Sequence, residues 1–216
     1  MQLLIYGSGG LGKETLDLAK RINSVHHRWN KISFIDDVRQ DKFYYGTQIY
    51  KFDEVSSISD DLECSIAQGE PKFRELLYNK VLENGMNIAT MVDPTAIVSE
   101  TASIGVGSII SAFTLLASNV TVCENVLIQP MVNIGHDIYI GKHSVISSAV
   151  FPGGFDHIGD RVYIGMNTTI REKVNIGDDV IVGMGSVVHC DIEPGLIAMG
   201  NPARPMKRNE SGRVFH

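Results

Sequence analysis

The chain has 216 residues, 44% hydrophobic and 20% charged, with a formal net charge of −6, an ordinary composition for a globular core. Acid exceeds base in both halves (11 Lys and Arg against 14 Asp and Glu before Thr95, 8 against 11 from there on), which argues against a nucleic-acid-binding surface. No apolar run reaches the ~18 residues of a membrane span, and the three cysteines, Cys64, Cys123 and Cys190, lack the spacing of a disulfide framework or a metal site.

No basic stretch precedes an apolar segment at the N-terminus, so no secretory leader is expected and the cytoplasm is the expected compartment. The first elements alternate. "QLLIY" reads as a buried strand, and "GKETLDLAKRIN" as an amphipathic helix with Leu16, Ala19 and Ile22 on one face. "KISFIDD" is a second strand ending in two carboxylates, and "ECSIAQG" a third. "PKFRELLYNKVLENG" is a helix with Pro71 near its start and Gly85 past its end, and "MNIATMV" a last strand. Strands alternating with helices imply a parallel, Rossmann-like sheet over residues 1–93.

Between the first strand and helix stands "YGSGGLGKET". Gly7, Gly9 and Gly12 match the dinucleotide fingerprint, and with Lys13 they match most of a P-loop. A dinucleotide needs two βαβαβ halves and this domain holds little more than one. A P-loop needs Ser or Thr after its lysine, and Glu14 stands there. A glycine turn at a strand's carboxyl end still directs N–H groups and a helix N-terminus at a phosphate. Asp36 and Asp37 can accept hydrogen bonds from a ribose or base. The alternative is that the glycines serve only helix–strand packing.

From Val98 an aliphatic residue recurs every sixth position to Val188, with Pro152 the one exception, a row of 91 residues without a frame shift. Gly often follows it, and the fifth position is small or β-branched except at Asp156. This is the period of a parallel β-helix: a short strand and a turn per hexad, three hexads per triangular coil, aliphatic side chains inward. The Gly is expected to permit the tight corner. The β-helix spans 94–193, and 194–216 form a tail.

The hexads resemble those of the hexapeptide-repeat acyltransferases, and the two halves together resemble the bacterial nucleotide-sugar acetyltransferases of the NeuD/PglD type over nearly the whole chain. The resemblance implies a left-handed β-helix, a homotrimer, and acetyl-CoA held between neighbouring prisms. It implies that the glycine turn and the acidic pair bind the nucleotide sugar, through Gly9, Gly10, Asp36, Asp37 and Gly69, with Gln129 contacting the sugar. Leu11 stands where the family often has a histidine. CoA contacts carry over to Met166 and Met184, and "GNPARPMKR" offers Arg204, Lys207 and Arg208 to the phosphates, or is simply a solvated basic tail. Val145 replaces a CoA-contacting histidine of some members.

Of the seven histidines, His136 stands out, in "NIGHDIYIG", near a corner of the prism and followed by Asp137. A neutral imidazole there can accept the proton that an amine or hydroxyl loses on attacking a thioester, with a carboxylate fixing its tautomer. The family places its base in this coil, which makes His136 the base and Asp137 its orienting partner. His143 and His157 read as surface residues. No metal and no covalent intermediate is required. The expected activity is N-acetylation of a nucleotide-linked amino sugar, such as a UDP-4-amino-4,6-dideoxy sugar, in surface glycan synthesis. O-acetylation of a sialic-acid-like sugar and a non-catalytic sugar-binding β-helix are the alternatives.

Overall fold

The computed structural model describes residues 1–58 and 61–215. The N-terminal sheet is built from β1 (Gln2–Tyr6), then after helix α1 (Gly10–His26) from β2 (Lys31–Ile35), β3 (Phe43–Tyr44) and β4 (Thr47–Tyr50). A short 3-10 helix (Phe52–Ser57), β5 (Leu62–Ile66), helix α2 (Pro71–Glu83) and β6 (Asn87–Ile88) complete it. The strand order is β3-β4-β2-β1-β5-β6, parallel apart from the β3–β4 hairpin. The sequence reading missed that hairpin. Its turn, Tyr45-Gly46, has positive φ at both residues (53° and 68°), which matches the twist of paired strands. The chain leaves β1 in opposite directions, so the crevice between the carboxyl ends of β1 and β5 is the topological switch point, where such sheets take ligands.

"MNIATMV" is two strands. β6 pairs with β5, whereas β7 (Met91–Val92) pairs with Ile109–Ile110 and is the first rung of the solenoid. From there two-residue strands stack eighteen residues apart into three faces. Face A runs through Ile109–Ile110, Leu127–Ile128, Val145–Ile146, Tyr163–Ile164 and Ile181–Val182 to Leu196–Met199, which returns as an antiparallel strand, Arg204–Arg208. Face B holds Ile97–Val98, Leu115–Leu116, Asn133–Ile134, Phe151–Pro152, Thr169–Ile170 and Val187–Val188. Face C holds Ser103–Ile104, Thr121–Val122, Tyr139–Ile140, His157–Ile158 and Asn175–Ile176. The hexad residues point inward, and Ile110, Ile128, Ile146 and Ile164, one above the other, are wholly buried.

The corners work differently from the expectation. Positive φ falls two residues after the glycine, on a row that includes Phe113, Asn119, Asn125, Met131, Asp137 and His143. The glycines are there because successive coils nearly touch: a Cβ on Gly141 would lie 2.4 Å from the Gly159 carbonyl carbon. They secure close stacking, and the left-handed residue makes the turn.

Each face meets a different fate. The outward residues of face A (Met91, Ile109, Leu127, Val145) are apolar and buried against α1 residues such as Leu16 and Leu18. Arg74 of α2, wholly buried, locks the two domains. Its guanidinium donates to Asn125 O and Oδ1 on the β-helix (3.0 and 2.9 Å) and to Ile66 O and Gln68 O (2.7 and 2.9 Å). Asn125 Nδ2 returns a bond to Arg74 O (3.0 Å) and lies 2.9 Å from His143 Nδ1. His143 is therefore buried at this joint, contrary to its surface reading, and burial lowers its pKa. His157 is exposed and stacks on Tyr139.

Asp156 occupies a corner position that other hexads give to Val, Ile, Ala, Ser or Thr. It is 2% exposed; Oδ1 accepts the Val174 N–H (2.9 Å), and Oδ2 has no hydrogen bond of ordinary geometry among the described residues. Burial raises its pKa from 3.8 to about 6. Because the folded-state value is the higher one, the neutral acid favours folding at low pH, and that contribution is lost as pH rises from about 4 through about 6. Ser144, at the equivalent place, accepts the Val162 N–H and donates to Gly159 O without a charge. Asp156→Ser is expected to abolish this pH dependence and to stabilise the protein at pH 8 by about 2 kcal/mol, read from urea melts at pH 5 and pH 8.

Candidate active site

At the corner between faces B and C, Gly135-His136-Asp137 turns the chain. Asp137 has φ 56° and its N–H donates to Ser118 O, one coil below (2.9 Å). That left-handed geometry brings the carboxylate back on its neighbour, with Oδ2 2.8 Å from His136 Nδ1. Asp137 Oδ1 accepts from the Asn119 amide (3.0 Å), and the Asn119 and His136 bonds hold the Asp137 carboxyl below the ordinary carboxylate range. An ionised carboxylate only accepts, so in the neutral imidazole Nδ1 carries the proton and Nε2 is the acceptor. From the coil above, Phe155 presents its ring edge-on to the imidazole (centroids 5.0 Å apart), and Gly154 leaves the room the ring needs. The His136 side chain is 57% exposed.

The glycine turn after β1 divides in two. Gly7 (φ 110°) and Gly12 are demanded by packing, since a Cβ would lie 2.7 Å from Ala67 O and 2.2 Å from Gly7 O respectively. At Gly9 and Gly10 a Cβ would meet nothing within 4 Å. The space above this pair is open. The acidic pair is largely engaged by the protein itself. Asp36 accepts from the Ser8 N–H and hydroxyl and from the Val38 and Arg39 N–H groups. Burial alone would raise its pKa, and these bonds hold it low. Asp37 turns to the opposite side, towards Tyr6, Phe52 and Lys80. Gly69, in the loop between β5 and α2, is covered by the Phe215 ring.

Beside the open glycines stands a group that sequence reasoning overlooked. Arg39 donates to Ser8 Oγ (2.8 Å) and lies over the Tyr44 ring (3.9 Å). Lys13 Nζ lies 5.4 and 5.1 Å from the Tyr44 and Tyr45 ring centroids. The "YYG" of the hairpin turn was the available signal.

Met166 and Met184 stand at the corner between faces A and B. With Tyr163, Ile181, Lys207 and Arg208 they line a cleft of about 670 Å³. Arg204 is exposed and lies outside it. Gln129 is at the same corner, two coils below Gly165. Within one chain, then, His136 and the Met166–Met184 cleft are separated by the whole of face B. Among the described residues no three His, Cys, Asp or Glu side chains are placed to hold a metal ion, and no helix is long and apolar enough to cross a membrane.

The PglD N-terminal domain family matches residues 2–81, and the bacterial transferase hexapeptide family matches residues 157–190. GDP-perosamine N-acetyltransferase of Escherichia coli O157:H7 is 28% identical over 214 residues, covering 95% of this chain and 96% of that protein. Among solved structures, PerB from Caulobacter crescentus in complex with CoA and GDP-perosamine superposes with a TM-score of 0.83 at 21% identity, covering 96% of this chain and 98% of that one. The acetyltransferase domain of PglB from Neisseria gonorrhoeae, in complex with acetyl coenzyme A, gives 0.71 at 23%, covering 95% and 98%. The likeness extends over both domains, and the solenoid is the left-handed β-helix that the family resemblance implied. The chain thus joins a PglD-type N-terminal domain to bacterial transferase hexapeptide repeats, and it is homologous to GDP-perosamine N-acetyltransferase over nearly its whole length.

Proposed function

We propose that the protein transfers the acetyl group of acetyl-CoA to the amine of a nucleotide-linked amino sugar in the cytoplasm. The His136–Asp137 pair carries this reading: an oriented imidazole with Nε2 as acceptor, exposed on a solenoid corner. The amine attacks the thioester carbonyl and Nε2 takes its proton. The tetrahedral oxyanion collapses, the C–S bond breaks, and the imidazolium returns the proton to the thiolate. The named activity of the Escherichia coli relative and the ligands of the Caulobacter structure support the substrate class.

The N-terminal domain holds the nucleotide, with the diphosphate over Gly9 and Gly10, Lys13 and Arg39 as cations and Tyr45 available to the base. The β-helix supplies the base and the pantetheine groove, and the C-terminal tail contributes Lys207 and Arg208 to the CoA phosphates. Asp36 acts here mainly by shaping the turn.

The chain works as a homotrimer in this reading. Face A is covered by the N-terminal domain and face C is polar outside, but face B and its two corners expose Ile97, Phe113, Met131, Phe151, Phe155 and Met184. A second copy would bury this patch. Joining the A–B corner of one copy to the B–C corner of the next is a heterologous contact, and a three-fold rotation closes it as a ring. It brings His136 of one chain to the Met166–Met184 cleft of its neighbour.

Thiol release from acetyl-CoA, over a panel of UDP-, GDP- and dTDP-linked amino sugars, tests the reaction. His136→Ala is expected to lower kcat by about 10²–10⁴; activity within a few-fold of wild type would remove His136 from the role. Gly154→Ala would put a methyl 2.7 Å from His136 Cε1 and displace the ring, so kcat should fall with the melting temperature nearly unchanged. Gly10→Val should raise KM for the nucleotide sugar about tenfold or more and leave KM for acetyl-CoA alone, as expected for a lost phosphate contact. Light scattering should give three chains per particle, and a monomer at micromolar concentration would count against the shared site.

A further inference from the structure

The last residues of the chain cross from one domain to the other. Asn209 is pinned on the upper coils, its N–H donating to Gly195 O and its amide to Asp179 O (both 2.8 Å). It also accepts the Gly212 N–H (2.9 Å), which shapes the turn that follows. Gly212 has φ 64° and lies so close to α2 that a Cβ would meet the Lys72 side chain. Beyond it the chain reaches Glu70, the residue before α2. This carboxylate makes no capping bond to its own helix and is only 7% exposed. Its two oxygens accept instead the N–H groups of Val214 (2.9 Å) and Phe215 (2.8 Å). The Phe215 ring then packs edge-on against Tyr163 (5.7 Å) and covers Gly69.

Between these two anchors the segment forms the outer wall of the cleft that Met166 and Met184 floor, and carries Arg213 to its rim. A nearly buried carboxylate needs its hydrogen bonds, because an unpaired charge there is costly. Glu70 therefore holds the segment in place from the far domain. We infer that residues 210–215 are a strap across the CoA cleft, and that Glu70 is a positioning residue for the co-substrate through the strap. The inference rests on the reading of that cleft as the CoA site. It also gives the tail, which sequence reasoning left between phosphate contact and solvated end, a fixed path.

Titration calorimetry with CoA tests it, on the full trimeric protein, Glu70→Ala, a chain ending at Glu210, and the two changes combined. Each change alone should weaken CoA binding about tenfold, and the combination should be no weaker than either one. GDP and UDP binding and the melting temperature should move little. Equal CoA affinity in wild type and both single variants would overturn the strap and leave the proposed function standing. Weakening by Glu70→Ala without weakening by the truncation would also overturn it, by confining Glu70 to a local role. A wild-type protein that binds no CoA would overturn both readings.

Discussion

Stacking of one aliphatic side chain on the next, eighteen residues away, governs this molecule. A two-residue strand has almost no stability of its own, and a single coil leaves both its flat sides open. Only the repetition of inward Ile and Val, wholly buried at Ile110, Ile128, Ile146 and Ile164, makes the prism. The same requirement fixes the corners into vertical columns. His136 is thereby set above Asn119's coil and below that of Gly154 and Phe155, and each of these neighbours acts on it.

Once the columns exist, the outward residue of each strand decides what a face does. On face A it is apolar and receives the N-terminal domain; on face C it is Ser, Thr, Tyr, His or Asn and meets water; face B and its corners bear exposed large apolar groups. A period of eighteen is thus written over the period of six. The shorter period specifies a prism, and the longer one specifies its surroundings.

Much of this was legible in the amino-acid sequence. The hexads defined the solenoid because a period-six pattern of that length has no competing fold. The His136–Asp137 pair was legible because its partners are adjacent and the corner geometry repeats. What escaped depends on contacts between distant segments. Asp36 and Asp37 looked like ligand-facing carboxylates at a strand end, yet Ser8, Val38, Arg39, Tyr6 and Phe52 already occupy much of their acceptor capacity. His143 looked like another outward corner residue until Arg74 and Asn125 closed over it. The bond between Glu70 and Phe215 joins positions 145 apart and has no local signature. The glycine row was noticed for the wrong physical reason, since a sequence shows a small residue but not whether its φ or its clearance is the cause.

The left-handed corner residues have a further consequence. Asp137 holds a conformation that is uncommon for a residue with a side chain, yet Asn119, Asn125, Met131 and His143 hold the same one for purely architectural reasons. The backbone on which the His–Asp pair is mounted is thus a standard part of the scaffold. A lineage of such proteins could relocate or retune its reactive corner by exchanging two side chains, one coil at a time, with no new loop to evolve. The solenoid behaves as a rack of identical sockets, and chemistry arises wherever one of them is fitted with the right pair.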